Sequence, residues 1–172
     1  QQQVSDSFLK QAVDSVGDTL FIADVITMKF VFVNAALCKR LGYTEAELLA
    51  MGPADISATS TKEMIQQRFM ELFKPESDGK LLFRTAHKTE AGVVIPVECH
   101  LSAILLDGRR SVVSVSRDIS TEIEFEERLK AKTRLLELIS EYLPVGFALN
   151  YRGNRAFHFM NRRFGQIYGW PN

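Results

Sequence analysis

The sequence has few of the residues that mark several common classes of protein. Its two cysteines, Cys38 and Cys99, lie too far apart for the spacing of a zinc site, a haem attachment or a disulfide framework. Lysine and arginine total 21, as do aspartate and glutamate, so the formal net charge is zero. A neutral chain has no global field that attracts nucleic acid or an acidic membrane. We therefore predict two small, buried, reduced cysteines and expect any basic patch to be local.

Long apolar runs are absent too. No stretch approaches the roughly 20 residues that cross a bilayer, and no basic-then-apolar signal peptide opens the sequence. We therefore expect a soluble, cytoplasmic module with no membrane segment of its own. With 46% hydrophobic residues among 172, the chain can bury one good core and has residues left for a linker or a partial second unit.

Catalytic and metal-binding motifs are also missing. The sequence contains no nucleophile elbow, phosphate-binding loop or paired-carboxylate spacing, and no pair of histidines or carboxylates at the spacing of a metal site. The three histidines, His87, His100 and His158, are predicted to be strand or surface residues and not ligands. We therefore predict no enzymatic activity within this chain.

The hydrophobic period changes along the chain. Apolar residues at helical spacing predict an amphipathic helix over 5–16, and β-branched and aromatic runs predict strands. The predicted strands are 19–25, 30–33, 81–88, 93–106 and 110–117, and the predicted helices between the second and third of these begin near 35, 45 and 61. This order predicts an α+β fold, a five-stranded antiparallel sheet with helices on one face, flanked by N-terminal and C-terminal amphipathic helices.

Single residues sharpen the predicted boundaries. Asn34 can cap the first of the three helices through its side-chain oxygen, and Gly42 suits the left-handed residue that ends it. Thr44 and Glu47 form the pattern of a capping box at the next helix. Pro96 has no backbone N–H, so its strand is predicted to lie at a sheet edge or to carry a bulge there.

Two segments of the chain share one pattern. The segments FIADVITMKFVFVNAALCKRLGYTEAEL and FALNYRGNRAFHFMNRRFGQIYGWPN, aligned from Phe21 and Phe147, each run two apolar stretches, an Asn, a short helix, a Gly and an aromatic residue. Gly42 follows Asn34 by eight positions, and the second segment repeats this spacing. A fixed offset is typical of a duplicated unit, and two unrelated hairpins with similar turns are the alternative.

The end of the chain has a second possible interpretation. Between Asn150 and Asn172 there are four arginines and no acidic residue, which alone is compatible with an RNA-binding tail of steep salt dependence. If the segment is a repeat, its aromatic residues belong to a core and its arginines to a solvated face. We favour the repeat, and predict that 144–172 is the truncated start of a second copy.

The segment between the two copies, 121–143, is predicted to be one charged amphipathic helix. Its apolar residues fall on alternating steps of four and three, the spacing of a coiled-coil seam, with an interruption at Lys132. The helix can pack on its own domain or pair with a second copy in a parallel homodimer, and the spacing favours the homodimer. The seam consists of Phe125, Leu129, Leu136, Ile139 and Leu143.

Three blocks of the sequence resemble a PAS domain when taken in order, and the resemblance runs from about Ser15 to Ser120. They are FVFVNAALCKRLGYTEAELLAM, AHKTEAGVVIPVECHLSAILLDG and VVSVSRDIST. The domain organisation that follows is an N-terminal helix over 1–16, a PAS-like sensor domain over 17–120, a signalling helix over 121–143 and the second copy.

The resemblance implies a sensor and dimerisation module in a signal-transduction protein of the histidine kinase or diguanylate cyclase type. The output domain is then expected elsewhere in the same chain, and a homodimer is expected through the N-terminal and C-terminal helices. Asp118 and Ile119 are implied to couple the sheet to the signalling helix. An interaction module with a filled core and no sensing role is the alternative.

The ligand is harder to predict. A light-sensing flavin PAS domain needs a reactive cysteine in an NCRFLQ-like helix, and a haem PAS domain usually has an axial histidine in its long helix; neither is present. Flavin held without a covalent bond, a small apolar ligand or no ligand all stay open.

A ligand pocket is predicted between the sheet and the helices, and a core filled side chain to side chain is the alternative. The candidate lining residues are Ile22, Phe32, Leu37, Leu41, Met64, Ile65, Arg68, Phe69, Phe83, Thr85, Leu101, Val113 and Val115.

Overall fold

The computed structural model describes residues 17–146, 148–149 and 159–169. The predicted helix over 5–16 lies outside the described residues. The chain divides into two compact units, one ending at Thr121 and one beginning at Glu122.

The first unit contains two strands, three helices and three further strands. These elements are β1 (Thr19–Asp24), β2 (Phe30–Val33), α1 (Ala35–Leu41), α2 (Glu45–Ala50), α3 (Lys62–Glu71), β3 (Lys80–Lys88), β4 (Val94–Leu106) and β5 (Arg109–Asp118). The strands form one antiparallel sheet in the order β2-β1-β5-β4-β3. The predicted α+β class and all five strands are confirmed, with ends that differ by one residue at most.

The predicted helix caps are present. The Asn34 side-chain oxygen accepts a hydrogen bond from Leu37 N at 3.0 Å, and Gly42 ends α1 with a φ of 88°. Thr44 and Glu47 form the reciprocal capping box at α2. Asn34 and Thr44 satisfy backbone donors at the start of their helices, and Gly42 N donates to the Cys38 carbonyl at the end of α1. These residues therefore fix where the helices begin and where α1 ends.

Asn34 also ties α1 to the start of the sheet. It is fully buried, its side-chain oxygen accepts from Leu20 N at 2.9 Å, and its amide nitrogen donates to the carbonyl of Asp18 at 3.1 Å. One side chain thereby holds the beginning of α1 and the beginning of β1 together.

The core lies between one face of the sheet and the helices. Alternate residues along the strands, such as Phe21 and Ala23 in β1, are buried against helix residues such as Leu37 and Phe69. A close approach at Gly52, after α2, brings this layer against the β1–β2 turn, since a Cβ there would lie 1.9 Å from the Met28 carbonyl oxygen.

The prediction for Pro96 is wrong, because β4 lies between β5 and β3 in the sheet. The ladder between β4 and β5 stops at the pair Val97–Asp118. Ile119 N donates to the Pro96 carbonyl at 3.1 Å, and the nitrogen of a strand residue points to the same side as its carbonyl. The missing N–H therefore faces the region beyond the end of β5, where no ladder bond is lost.

The second unit contains a long helix, a short hairpin and a short helix. Its elements are α4 (Ser120–Tyr142, which starts in the first unit), β6 (Ala148–Leu149), β7 (Phe159–Met160) and α5 (Arg162–Tyr168). Of the four tail arginines, Arg162 and Arg163 are exposed on α5, and the other two lie outside the described residues. Within the described part of the chain, no helix is both long enough and apolar enough to cross a membrane.

Candidate functional site

The core of the first unit contains a small, partly open cavity of about 40 Å³. One water needs roughly 10–15 Å³ measured in this way, so the space fits a few water-sized molecules. Pockets for larger ligands have volumes of roughly 300–1,000 Å³. The core is therefore nearly filled. The cavity is lined by Phe21, Pro53, Ile56, Ser57, Ser60, Ile65, Arg68, Phe69, Phe83, Thr85, His87, Cys99, Leu101 and Ser114.

Six of the predicted lining residues contact this cavity. They are Ile65, Arg68, Phe69, Phe83, Thr85 and Leu101. Two others, Leu37 and Leu41, are fully buried in the core but lie away from the cavity.

Four predicted lining residues lie on the opposite face of the sheet, which corrects the sequence-based assignment. They are Ile22, Phe32, Val113 and Val115. Ile22 pairs with Val113 and with Phe32 across the strands, whereas Phe21 and Ser114, one residue along, line the cavity. A one-residue change of register moves a side chain to the other face.

Met64 is also misassigned as a lining residue. Its side chain is 50% exposed on α3, while its neighbour Ile65 is buried at the cavity.

His87 lies in the cavity wall with an unsatisfied nitrogen. It is 5% exposed, and its Nδ1 atom has no hydrogen-bond partner among the residues that the structure describes. Burial, together with the positive charge of Arg40, lowers the pKa of His87 to about 4. The imidazole is therefore neutral at pH 7 and offers a hydrogen bond to a polar molecule in the cavity.

The burial of His87 results from a loop that covers the outer edge of β3. Ala58 N donates to the Ala86 carbonyl at 2.9 Å, and Lys88 N donates to the Ile56 carbonyl at 2.8 Å. The sequence predicted a strand histidine correctly, but nothing in the pattern around His87 indicates that a loop extends the sheet there.

Three other polar lining residues, Ser114, Cys99 and Arg68, contact neighbouring side chains. The Ser114 and Ser116 hydroxyls lie 3.3 Å apart, and the Cys99 sulfur lies 3.2 Å from the Ser116 hydroxyl. Burial raises the pKa of the Cys99 thiol, so this thiol stays protonated at neutral pH. The Arg68 guanidinium carbon lies 4.2 Å from the centre of the Phe83 ring, in cation–π geometry.

Asp118 and Ile119 form the junction between β5 and α4. Asp118 Oδ1 accepts hydrogen bonds from Ser120 N at 2.9 Å and from Ser120 Oγ at 2.7 Å. Partial burial acts to raise the pKa of Asp118, but the Ser120 hydrogen bonds and the charge of Arg40 outweigh it, and the pKa is lowered. Ile119 is buried.

Arg40, a residue that sequence analysis missed, reaches this junction from α1. Its Nη1 atom donates to the Ser116 carbonyl at 3.1 Å and to Thr19 Oγ1 at 3.1 Å. A lone arginine in an amphipathic helix is usually solvated, so only the folded arrangement identifies its role.

The predicted seam of α4 is open to solvent. Exposure of its five apolar side chains ranges from 39% at Leu143 to 68% at Phe125. A row of exposed apolar residues marks a candidate interaction surface.

Comparison with known proteins agrees with this architecture. The profile of the PAS domain family matches residues 17–121. The methyl sulfide methyltransferase-associated sensor of Methanosarcina acetivorans is 27% identical over 147 residues, which are 84% of this chain and 14% of that protein. The chain thus spans about a seventh of that relative's length.

Solved PAS domains have the same fold. The PAS domain of an HTR-like protein from Haloarcula marismortui superposes with a TM-score of 0.62 at 24% identity, covering 69% of this chain and 94% of that one. A PAS domain from a two-component sensor histidine kinase has a TM-score of 0.55 at 22% identity, covering 69% and 99%. PAS domains are generally sensory and not catalytic. With its family profile matched over more than half its length, the chain belongs to the PAS domain family.

Proposed function

We propose that this chain is a sensory and dimerisation module of a multidomain signal-transduction protein, in which a change in the PAS core is relayed to α4. The name of its relative, a sensor, and its likeness to a histidine kinase PAS domain support this role. The output domain, of the histidine kinase or diguanylate cyclase type, lies elsewhere in the same protein.

The proposed relay runs along β5. Along β5, Ser114 lines the cavity. The Ser116 hydroxyl lies within hydrogen-bonding distance of the Ser114 hydroxyl, and the Ser116 carbonyl accepts from Arg40. Asp118 then binds Ser120, the first residue of α4. These β5 residues alternate along the strand and share one face. A shift at the cavity wall therefore reaches the start of α4 within four residues.

The cavity suits a water-sized polar molecule. Its volume is about 40 Å³, and His87 Nδ1 is a buried polar atom in its wall with no partner among the described residues. We propose that gain or loss of this molecule, or of a small ligand that enlarges the cavity, is the change that β5 passes on.

The proposed homodimer pairs the exposed seam of α4 with that of a second copy. The seam supplies apolar residues at coiled-coil spacing over Phe125 to Leu143. Lys132 occupies one core position of the seam. Its long side chain keeps its charge near solvent, and its place in the seam sets the register of the two paired helices.

A double-mutant cycle tests the relay. Ser114→Val fills the cavity from β5, Asp118→Ala removes the hold on Ser120, and the combined variant reports their coupling. Exchange of the Ser120–Glu124 amides, measured by hydrogen–deuterium exchange, is the readout. The matched control is Val113→Thr, a change of the neighbouring residue on the opposite face of the sheet.

We expect Ser114→Val to alter exchange in the first turn of α4 when Asp118 is present and to have no further effect when Asp118 is replaced. Val113→Thr should leave this turn unchanged in both backgrounds. Additive effects of Ser114→Val and Asp118→Ala would overturn the relay and favour a filled core that serves only for protein interaction.

A further inference from the structure

The hairpin of the second unit repeats the hairpin of the first in register. Each pair of residues that face each other across β6 and β7 stands 127 positions after a pair in β1 and β2. The pairs are Phe21–Val33 and Ile22–Phe32 in the first unit, and Ala148–Met160 and Leu149–Phe159 in the second. This register aligns Phe21 with Ala148, whereas the sequence comparison aligned Phe21 with Phe147.

The helix that follows each hairpin repeats as well. Both α1 and α5 have seven residues. Asn161 Oδ1 accepts from Phe164 N at 3.0 Å, as Asn34 Oδ1 accepts from Leu37 N. Gly169 closes α5 with a φ of 72°. Each of these residues keeps the offset of 127 from its counterpart.

A third correspondence does not follow from turn or cap chemistry. The Asn34 amide donates to the carbonyl of Asp18, and the Asn161 amide donates to the carbonyl of Val145 at 2.9 Å, in both cases 16 residues earlier. Both asparagines are buried. Two unrelated hairpins can share an Asn cap and a final glycine, but they have no reason to share this long-range bond as well.

Asn161 also makes one hydrogen bond to a residue of α4. Its amide also donates to the Ser140 carbonyl at 3.0 Å, and Ser140 is buried. Within a helix this carbonyl would accept from residue 144, which is Pro144 and has no N–H. The Asn161 side chain therefore satisfies a helix-end acceptor that the chain's own backbone cannot reach.

From these correspondences we infer that the described residues 145–146, 148–149 and 159–169 belong to the opening of a second copy of the PAS fold, and that Asn161 links this copy to the end of α4. The helix that leaves the PAS domain is then also the helix that enters the second copy. The inference rests on register and hydrogen bonds in the second unit and does not depend on the relay through Asp118.

Two substitutions at Asn161 separate its bonds. Asn161→Asp keeps the oxygen that accepts from Phe164 N but loses both donated bonds, and it places a negative charge at the carbonyl end of α4, where such a charge is unfavourable. Asn161→Ala loses the cap as well. Asn34→Asp is the matched change in the first unit, where only the bond to Asp18 should be lost.

Amide exchange followed by NMR on the 172-residue protein is the measurement. In Asn161→Asp we expect exchange over 141–149 to accelerate roughly tenfold, the loss that one or two hydrogen bonds of about 1 kcal/mol each would cause, while the amide of Phe164 changes little. Asn161→Ala should accelerate both. Asn34→Asp should loosen the start of β1 in the same selective manner.

If a substitution unfolds the hairpin and helix around it, cross-strand contacts observed by NMR in the unsubstituted protein still test the inference. Ala148 should face Met160, and Leu149 should face Phe159. A different register, or an Asn161→Asp protein that exchanges like the original over 141–149, would overturn the inference. Neither result would alter the coupling between Ser114 and Asp118, so the two proposals fail separately.

Discussion

Asp118 and Ser120 are joined twice, because one carboxylate oxygen accepts from both the backbone N and the hydroxyl of Ser120. Removal of the carboxylate in Asp118→Ala should therefore loosen the first turn of α4, at a cost of about 1 kcal/mol, the usual value of a helix cap. Faster exchange of the Ser120–Glu124 amides is the expected observation. Glu124→Gln, a change on the exposed surface of α4, is the control and should leave exchange as it was.

The Asp118 carboxylate also predicts that the stability of the fold depends on pH in the acid range. Its pKa is lowered below the ordinary value of 3.8 in the folded state, so its contribution to stability is present above pH 3.8 and is lost as the pH falls through the lower, folded pKa. Unfolding by urea at pH 2 to 5 should show a smaller loss of stability in Asp118→Asn than in the original protein. The remaining loss belongs to other groups with lowered pKa values, such as Asp24 and His87. An identical pH dependence of the two proteins would contradict the assignment.

His87 predicts a second pH dependence at higher pH. Its pKa is lowered from 6.5 to about 4, so the unfolded chain takes up a proton between these values while the folded chain does not. Stability should fall as the pH decreases from 6.5 to 4, by an amount on the order of 3 kcal/mol.

The replacement His87→Phe should flatten this part of the pH profile. At pH 7 it should be neutral or stabilising, because it removes a buried nitrogen that has no partner among the described residues. His100→Gln is the matched control on the exposed side of the sheet, and its profile should follow that of the original protein. If both variants keep the original slope, His87 is not the titrating group.

The seam of α4 predicts a change of oligomeric state. Leu129→Glu combined with Leu136→Glu places charges at two core positions of the proposed coiled coil and should weaken the homodimer at least roughly a hundredfold. Analytical ultracentrifugation measures this directly. Arg134→Glu, on the opposite side of α4 and 71% exposed, also changes charge and should leave the dimer intact. A protein that is monomeric before any substitution would contradict the pairing.

Position 52 has no room for a side chain. A Cβ at this position would lie 1.9 Å from the Met28 carbonyl oxygen, so Gly52→Ala must displace the β1–β2 turn and should cost roughly 3 kcal/mol or more in the free energy of unfolding. Gly17→Ala, where no described residue beyond the chain neighbours lies within 4 Å of the added Cβ, should change stability little. Urea denaturation followed by circular dichroism compares the two.

Much of this fold could be predicted from the sequence because the relevant signals are local. A cap such as Asn34 acts on atoms two or three residues away. The strand that contains Val97 and Leu101 alternates apolar and polar residues, and the apolar set is the buried one.

The failures arise where the information is not local. In β1, Ile22 is as apolar as Phe21 on the buried face, so the pattern could not choose between faces. In β5, Val113 is more apolar than the buried Ser114 and Ser116, so the pattern favoured the wrong face. The roles of His87 and Arg40 depend on segments that are distant in sequence, the loop beside β3 and the end of β5. A polar side chain with partners so far away leaves no periodic signal.

The loop that covers β3 also affects how this domain meets other molecules. An open strand edge invites a foreign strand to add to the sheet, which is a common start of aggregation. Here the segment 56–58 occupies the half of that edge near His87, and the other half carries the exposed charged side chains of Lys80 and Arg84. Strand addition at the β3 edge is thus blocked by backbone over one half and discouraged by charge over the other.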